Sequence, residues 1–130
     1  MDKSSLLKAF NTHFFEFVDD VIGIFPDRDE LATTRKTFEM IRHANPTAIL
    51  KVWHSQVYLP YSEPIELGNL DFFFTKNYED DVSHLANSRE IMRVIDTLRA
   101  PIQSMSETNR AHTLKYIQNL STLSKLWSNQ

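Results

Sequence analysis

The chain has 130 residues, of which 42% are hydrophobic and 24% are charged, and its formal net charge is −3 at pH 7. These values are typical of a globular domain and argue against a disordered chain, while the lack of cysteine excludes disulfides, thiolate metal sites and thiol nucleophiles. Two glycines are too few for a nucleotide-phosphate loop or a hairpin-rich sheet, which need residues that tolerate positive φ. We expect a single domain spanning residues 1–130.

The chain shows no targeting or membrane signal. Its longest apolar run falls far short of the roughly 20 residues that cross a bilayer, and the N-terminus lacks the basic flank and cleavage site of a signal peptide. The sequence therefore predicts no membrane span and no export, and hence a cytoplasmic protein unless the chain is viral.

Charge alternates along the chain. Residues 1–30 sum to −4, residues 31–62 to +3, residues 63–81 to −5 and residues 82–130 to +3. Segments of opposite sign can complement each other across helix contacts or match neighbouring subunits of an assembly. The simpler interpretation is that they are solvated faces, since surface ion pairs usually contribute less than about 1 kcal/mol.

The first 25 residues predict a long amphipathic helix. Apolar residues recur at spacings of three and four in two adjacent rows, which are Leu7, Phe10, Phe14, Phe17, Val21 and Ile24, and Phe15, Val18, Ile22 and Phe25. Such a stripe is wide enough to contact two neighbours. Phe25-Pro26 ends the helix, because the residue before proline is pushed out of helical geometry.

Two further helices are predicted before residue 60. Asp27 is the expected N-cap of the second, with Glu30 completing a capping box. Its apolar positions are Leu31, Phe38, Met40 and Ile41. Asn45-Pro46 opens the third helix, which continues past Trp53 as far as Leu59-Pro60. Residues 60–68 contain two prolines and a glycine and predict an irregular connection.

The C-terminal half predicts two more helices. Residues 70–75 form either a short extended piece or the start of a helix. Asn87 or Ser88 caps a helix that is interrupted near Ala100-Pro101, and Ser106 opens the last one. The predicted fold is therefore all-α, with about five helices in a compact orthogonal or bundle-like domain and an irregular middle segment.

Catalytic and metal-binding patterns are weak. The five histidines are widely separated, and the nearest approach to a ligand motif is a carboxylate–imidazole pair on one helical face, at Glu39 with His43, His13 with Glu16, and Asp80 with His84. The chain contains no Glu-x-x-His, which a di-iron bundle requires. Glu16, Asp19 and Asp20 are interpreted as the polar face of the first helix. We therefore predict no metal, no cofactor and no enzymatic activity.

Two other surfaces are candidates for binding. Phe72, Phe73 and Phe74 cannot share one helix face, because neighbouring residues diverge by roughly 100°, so with Tyr78 they are predicted to bind a protein partner. The basic residues Arg89, Arg93 and Lys115 are the candidate nucleic-acid contacts, although a pI of about 5.9 lacks a strong basic footprint.

Four stretches carry a resemblance to a known group. They are residues 10–26 with Phe10, Phe14, Glu16, Phe17 and Asp20, Asn45-Pro46 with Trp53, residues 70–78, and residues 98–120 with Leu98, Arg99, Pro101, Lys115, Tyr116 and Asn119. Together they resemble small uncharacterised proteins of nucleocytoplasmic large DNA viruses, such as chlorella viruses and their giant relatives. The resemblance implies an all-helical protein carried in the virion, and it assigns no functional residue.

These observations lead to one hypothesis and one alternative. The hypothesis is a noncatalytic protein-interaction or structural module, a minor virion component of a large DNA virus, that binds a protein partner or forms a homo-oligomer. It would be found in the virion or the host cytoplasm. The alternative is a viral regulatory protein that binds nucleic acid.

Overall fold

The structure, a computed structural model, describes residues 2–69 and 86–130, with side chains from Ile91 onward in the second range. Within these residues the chain forms seven α-helices and one π-helix, so the all-α class is confirmed. The elements are α1 Lys3–Ile24, α2 Asp29–Ala44, α3 Ala48–Val52, the π-helix Trp53–Tyr58, α4 Leu59–Leu67, α5 Ala86–Asp96, α6 Arg99–Gln103 and α7 Glu107–Ser128.

Helix α1 confirms the prediction for the first 25 residues. The side chain of Asp2 caps its start by accepting a hydrogen bond from the backbone N–H of Ser5 at 2.7 Å, and Phe25 ends it. Both predicted rows supply buried residues, among them Phe10, Phe14 and Val18. The wide stripe lets α1 pack against α7, α2 and α3, and α1 with α7 is the most extensive helix pair described.

Aromatic rings form the centre of the core. The ring of Phe14 lies 4.8 Å from that of Phe38 on α2 and 6.3 Å from that of Trp53, with edge-to-face geometry in both pairs. Phe10 stacks on Phe14 at 6.1 Å. Edge-to-face contacts satisfy the ring quadrupoles and add to the burial energy. One cluster of buried side chains draws on every described helix.

Helix α2 corrects two sequence predictions. Its N-cap is Arg28 rather than Asp27, and no side chain caps it. Leu31 and Phe38 are buried as predicted, but Met40 is 72% exposed. Two residues along a helix correspond to a rotation of about 200°, so a buried Phe38 directs Met40 to the opposite face.

Residues 48–67 run as one nearly continuous helical segment. The predicted irregular connection over residues 60–68 is wrong, because α4 extends through it from Leu59 to Leu67. Pro60 occupies the first turn of α4, where its missing N–H is not needed. Pro64 is accommodated by a kink at Tyr61, whose φ and ψ are −124° and 23°. Gly68 then ends α4 in the left-handed conformation, with φ of 81°.

The last three helices follow the sequence pattern closely. Helix α5 is helical from Ala86, so Asn87 and Ser88 lie inside it rather than at its cap. The predicted break falls at Thr97 and Leu98, just before the short α6 that contains Pro101. Ser106 caps α7 as predicted, its hydroxyl accepting from the N–H of Asn109 at 3.2 Å. None of the described helices is both long and apolar enough to cross a membrane.

Candidate functional site

An open groove of about 1060 Å³ lies where the N-terminal half of α1 meets the C-terminal half of α2. Helix α1 forms one wall of the groove, and α2 with the turn that follows it forms the other wall. The residues that line this α1–α2 groove are Lys8, Asn11, Thr12, Lys36, Glu39, Met40, Arg42, His43, Ala44 and Pro46.

One end of the groove is fixed by a hydrogen bond between α1 and the α2–α3 turn. Asn11 is 8% exposed, and its Nδ2 donates to the carbonyl of Pro46 at 3.0 Å. Within the turn, Oδ1 of Asn45 accepts from the backbone N–H of Thr47 at 3.2 Å and from its hydroxyl at 3.0 Å, which is an Asx-type turn. The turn is therefore held in place from both sides.

A charged network joins the two helices beside the groove. Arg35 on α2 donates to Asp19 on α1 at 2.5 Å and to Glu39 at 2.6 Å. The hydrogen bond to Asp19, followed by that to Glu39, raises the pKa of Arg35 above its usual value. Three cations and one carboxylate line the groove, so it carries a net positive charge.

The ring of Phe15 supports two arginines at the α1–α2 contact. The guanidinium of Arg42 lies 4.3 Å from the ring centroid and that of Arg35 lies 5.4 Å from it. A cation over an aromatic face contributes about 0.5–1 kcal/mol at exposed sites. Phe15 is itself 5% exposed, so it both completes the core and fixes the position of Arg42.

The groove combines unpaired cations with one exposed apolar side chain. Among the described residues, no carboxylate forms an ion pair with Lys8, Lys36 or Arg42. Met40 lies between them with most of its surface in solvent. Methionine is flexible and polarisable and is common at adaptable binding surfaces. This site is not evident from the sequence, in which Met40 is counted among the apolar positions of the second helix.

A second, shallower groove of about 650 Å³ lies between α1 and α7 and contains His13. His13 Nδ1 lies 3.9 Å from the Glu16 carboxylate, as their spacing predicted, and its ring lies 4.8 Å from that of Tyr116. Burial raises the pKa of Tyr116, with smaller contributions from Asp20 and Glu16. Through its contact with Tyr116, His13 forms part of the packing of α1 on α7.

The π-helix was not predicted from the sequence. Indole Nε1 of Trp53 donates to the Ser121 hydroxyl on α7 at 3.1 Å in a buried site. Next to it, the His54 ring stacks on Tyr58 at 5.7 Å, and burial lowers the pKa of His54. π-Helical turns often occur at functional sites. Apolar pairs five residues apart, Val52 with Val57 and Trp53 with Tyr58, are the sequence signal that could have revealed it.

The residues predicted to bind partners are only partly described. Phe72, Phe73, Phe74 and Tyr78 lie outside the described residues, as does the side chain of Arg89. Arg93 on α5 and Lys115 on α7 are both exposed. Helix α5 packs mainly on α2 and α3, whereas α7 packs mainly on α1 and the π-helix.

The residues that could bind a metal ion are dispersed in the described part of the chain. Within residues 2–69 and 86–130, no three histidine, aspartate or glutamate side chains are grouped in a way that could hold a metal ion. Glu39 and His43 share the α1–α2 groove, but the Glu39 carboxylate pairs with Arg35.

No protein-family model, curated protein or solved structure matches this chain.

Proposed function

We propose that this protein is a noncatalytic interaction module whose α1–α2 groove binds an acidic protein surface bearing an apolar contact. The observation that carries the proposal is the 72% exposure of Met40 among the cations of the groove. Fully burying a methionine contributes about 1.5–3 kcal/mol, so a partner that covers Met40 would gain much of this free energy on binding.

The charges of the groove indicate the partner's character. Lys8, Lys36 and Arg42 line the groove, and its one carboxylate, Glu39, pairs with Arg35. An acidic surface would pair with these cations, and complementary charge raises association rates and suppresses wrong partners. The hydrogen bond from Asn11 to Pro46 and the contacts of Phe15 hold the groove in shape, which lowers the entropic cost of binding.

A nucleic acid fits this groove less well. Three cations are fewer than the six to ten phosphate contacts of typical DNA-binding proteins. An exposed methionine has no phosphate to contact, and the chain as a whole carries a charge of −3. Arg93 and Lys115 do not line this groove, so they add no phosphate contacts to it. Protein is therefore the favoured partner.

Photo-crosslinking tests the proposal. Benzoyl-phenylalanine is placed at position 40 in the full chain, in cells that naturally contain the protein, and at position 67 as a matched control. Leu67 is 77% exposed but lies on α4, away from the groove. We expect discrete protein adducts from position 40 that position 67 does not form. Equal labelling at both positions, no adducts, or adducts to nucleic acid would contradict the proposal.

The location of such a module in a large-virus particle stays a prediction from the sequence resemblance alone. Mass spectrometry of purified particles tests it, since a minor structural component is expected to remain in constant proportion to the major capsid protein through successive purification steps. Loss of the protein during purification would remove the virion from the proposal and leave the interaction module unaffected.

A further inference from the structure

We propose that the partner of the α1–α2 groove is a second copy of this chain. In the resulting dimer, the acidic N-terminal end of α2 in each copy contacts the basic groove of the other. The inference depends on the proposed function, because it names the partner of the same groove. Three observations support it: the exposed stripe of α2, the distribution of charge along that helix, and the positions of its small side chains.

Helix α2 presents a continuous exposed stripe. The exposed positions recur at spacings of four and three over the whole helix and lie opposite the buried Leu31 and Phe38. They are Asp29, Thr33, Lys36, Met40 and His43. A row of side chains with this spacing is the surface that one helix uses to pack against another. The described helices leave this stripe of α2 uncovered.

Charge is distributed unevenly along α2. Exposed acids lie at its beginning, at Asp27, Asp29 and Glu30. Arg28 pairs with Glu30 there, so the three acids face one cation. Arg42 lies in the second half of α2, and Lys8 lies beside it on α1. Two copies related by a two-fold axis, with their α2 helices antiparallel, would bring each acidic end to the other copy's Lys8 and Arg42 and would also oppose the two helix dipoles. A parallel arrangement would place like charges together along the whole helix, whereas the antiparallel one does so only at Lys36 beside the two-fold axis, so the antiparallel one is favoured.

Side-chain size is consistent with this arrangement. Met40 and Thr33 lie equally far from the middle of α2, so a full antiparallel overlap places each Met40 opposite the partner's Thr33. Thr33 and its neighbour Ala32 are small and exposed, which leaves room for the longer methionine. A symmetric pair also closes on itself, so it yields a dimer rather than a filament.

The expected dimer is weak. A helix of 16 residues is about 24 Å long and about 10 Å across, so its footprint is well below the about 800 Å² per partner of a standard interface. We therefore expect a concentration-dependent monomer–dimer equilibrium that weakens at least about tenfold between low and high salt, because exposed charges are screened.

Analytical ultracentrifugation of the full chain, from micromolar concentrations to about 1 mM, tests the inference. Met40→Lys should abolish the dimer, whereas Leu67→Lys, which places the same charge at an equally exposed position elsewhere, should not. Circular dichroism verifies that both variants stay folded. A native protein that is monomeric throughout, or a dimer that survives Met40→Lys, would overturn the inference.

A charge exchange tests the geometry directly. One double variant carries Asp29→Lys and Glu30→Lys, and the other carries Lys8→Glu and Arg42→Glu. Each alone should be monomeric, since like charges face each other across the two-fold axis. Their mixture should dimerise, because one acid–base contact is restored with reversed signs and the other is native. A mixture that stays monomeric while the native chain dimerises would exclude this arrangement.

The crosslinking described above separates failure of this inference from failure of the proposed function. An adduct at position 40 between two chains of 15.2 kDa supports self-association. A monomeric protein whose position 40 crosslinks to a different acidic protein would refute self-association and leave the interaction module standing. No adduct of either kind would refute both.

Discussion

Indole Nε1 of Trp53 donates a hydrogen bond of 3.1 Å to the hydroxyl of Ser121, although the two residues are 68 positions apart in the sequence. Both side chains are almost completely buried. The bond ties the π-helix to α7 at the point where the two elements cross. Because a buried indole N–H without an acceptor is costly, this contact gives a physical reason for a buried hydroxyl at position 121.

Replacing Ser121 by alanine should lower the free energy of unfolding by about 1–3 kcal/mol, since Trp53 Nε1 would lose its acceptor in a buried site. Urea unfolding followed by tryptophan fluorescence measures the change. Ser128→Ala on the same helix is the matched control, because Ser128 is exposed, and it should shift stability by less than about 0.5 kcal/mol. Equal effects at the two positions would show that the hydrogen bond contributes nothing specific.

The two glycines should respond to alanine in opposite directions. Gly23 lies within α1 with nothing within 4 Å of an added Cβ, so Gly23→Ala should stabilise the protein by about 0.5–1 kcal/mol. Gly68 has φ of 81° and ends α4, and its added Cβ would lie 3.4 Å from Leu114, so Gly68→Ala should destabilise it by about 1 kcal/mol. Thermal unfolding of the two variants side by side provides the test, and shifts of the same sign would contradict the assignment.

The network around Arg35 should contribute little to stability despite its short contacts. Its side chain and those of Asp19 and Glu39 are between 32% and 53% exposed, and exposed ion pairs contribute about 0–1 kcal/mol. Arg35→Gln should therefore cost less than about 1 kcal/mol, and the difference should shrink in high salt. A loss of several kcal/mol in chemical denaturation would show that the network is effectively shielded from solvent.

Stability should fall on acidification below pH 6.5 because of His54. Burial lowers the pKa of this imidazole in the folded state, so the unfolded chain binds more protons once the pH drops below the ordinary value of 6.5. The stabilising contribution is complete above pH 6.5 and is lost as the pH falls toward the lower folded-state value.

Urea midpoints at pH 7.5 and 5.5 measure this dependence. His54→Gln should flatten it, whereas the exposed His112→Gln should leave it unchanged. Asp2, whose pKa is lowered by its hydrogen bonds to Ser5, acts only below pH 3.8 and does not interfere in this window. An unchanged slope in His54→Gln would assign the dependence to other groups.

The sequence predicts the helices well where periodicity and burial agree. Phe10, Phe14 and Phe17 recur at helical spacing, and all three lie in the core. The prediction fails for Met40, because hydrophobicity was counted without the rotation that separates it from Phe38. It also fails over residues 60–68, where two prolines favour a loop in isolation, but tertiary packing of Ile65 and a kink at Tyr61 keep the chain helical.

The candidate site is harder to predict than the fold. Lys8 and Met40 are far apart in the sequence, and only the packing of α1 on α2 brings them to one groove. Arg42 is held at the groove by its cation–π contact with Phe15, and Glu39 pairs with Arg35. The Arg35–Glu39 pair is four residues apart on one helix and is visible in the sequence, whereas the groove and the Arg42–Phe15 contact are properties of tertiary packing, which no local pattern encodes.

The π-helix sets the direction of everything that follows it. Its wider turn places Tyr58 beneath Trp53 and Val57 beneath Val52, which an α-helix would rotate apart. Because a π-helical turn contains one residue more than an α-helical turn, deleting Gln56 would let this stretch close into an α-helix and keep Ile65 near its buried position. The same deletion in the α-helical part of the chain would rotate everything beyond it by about 100°. The extra residue of the π-helix is therefore the one place in residues 48–67 where the loss of a residue should be tolerated.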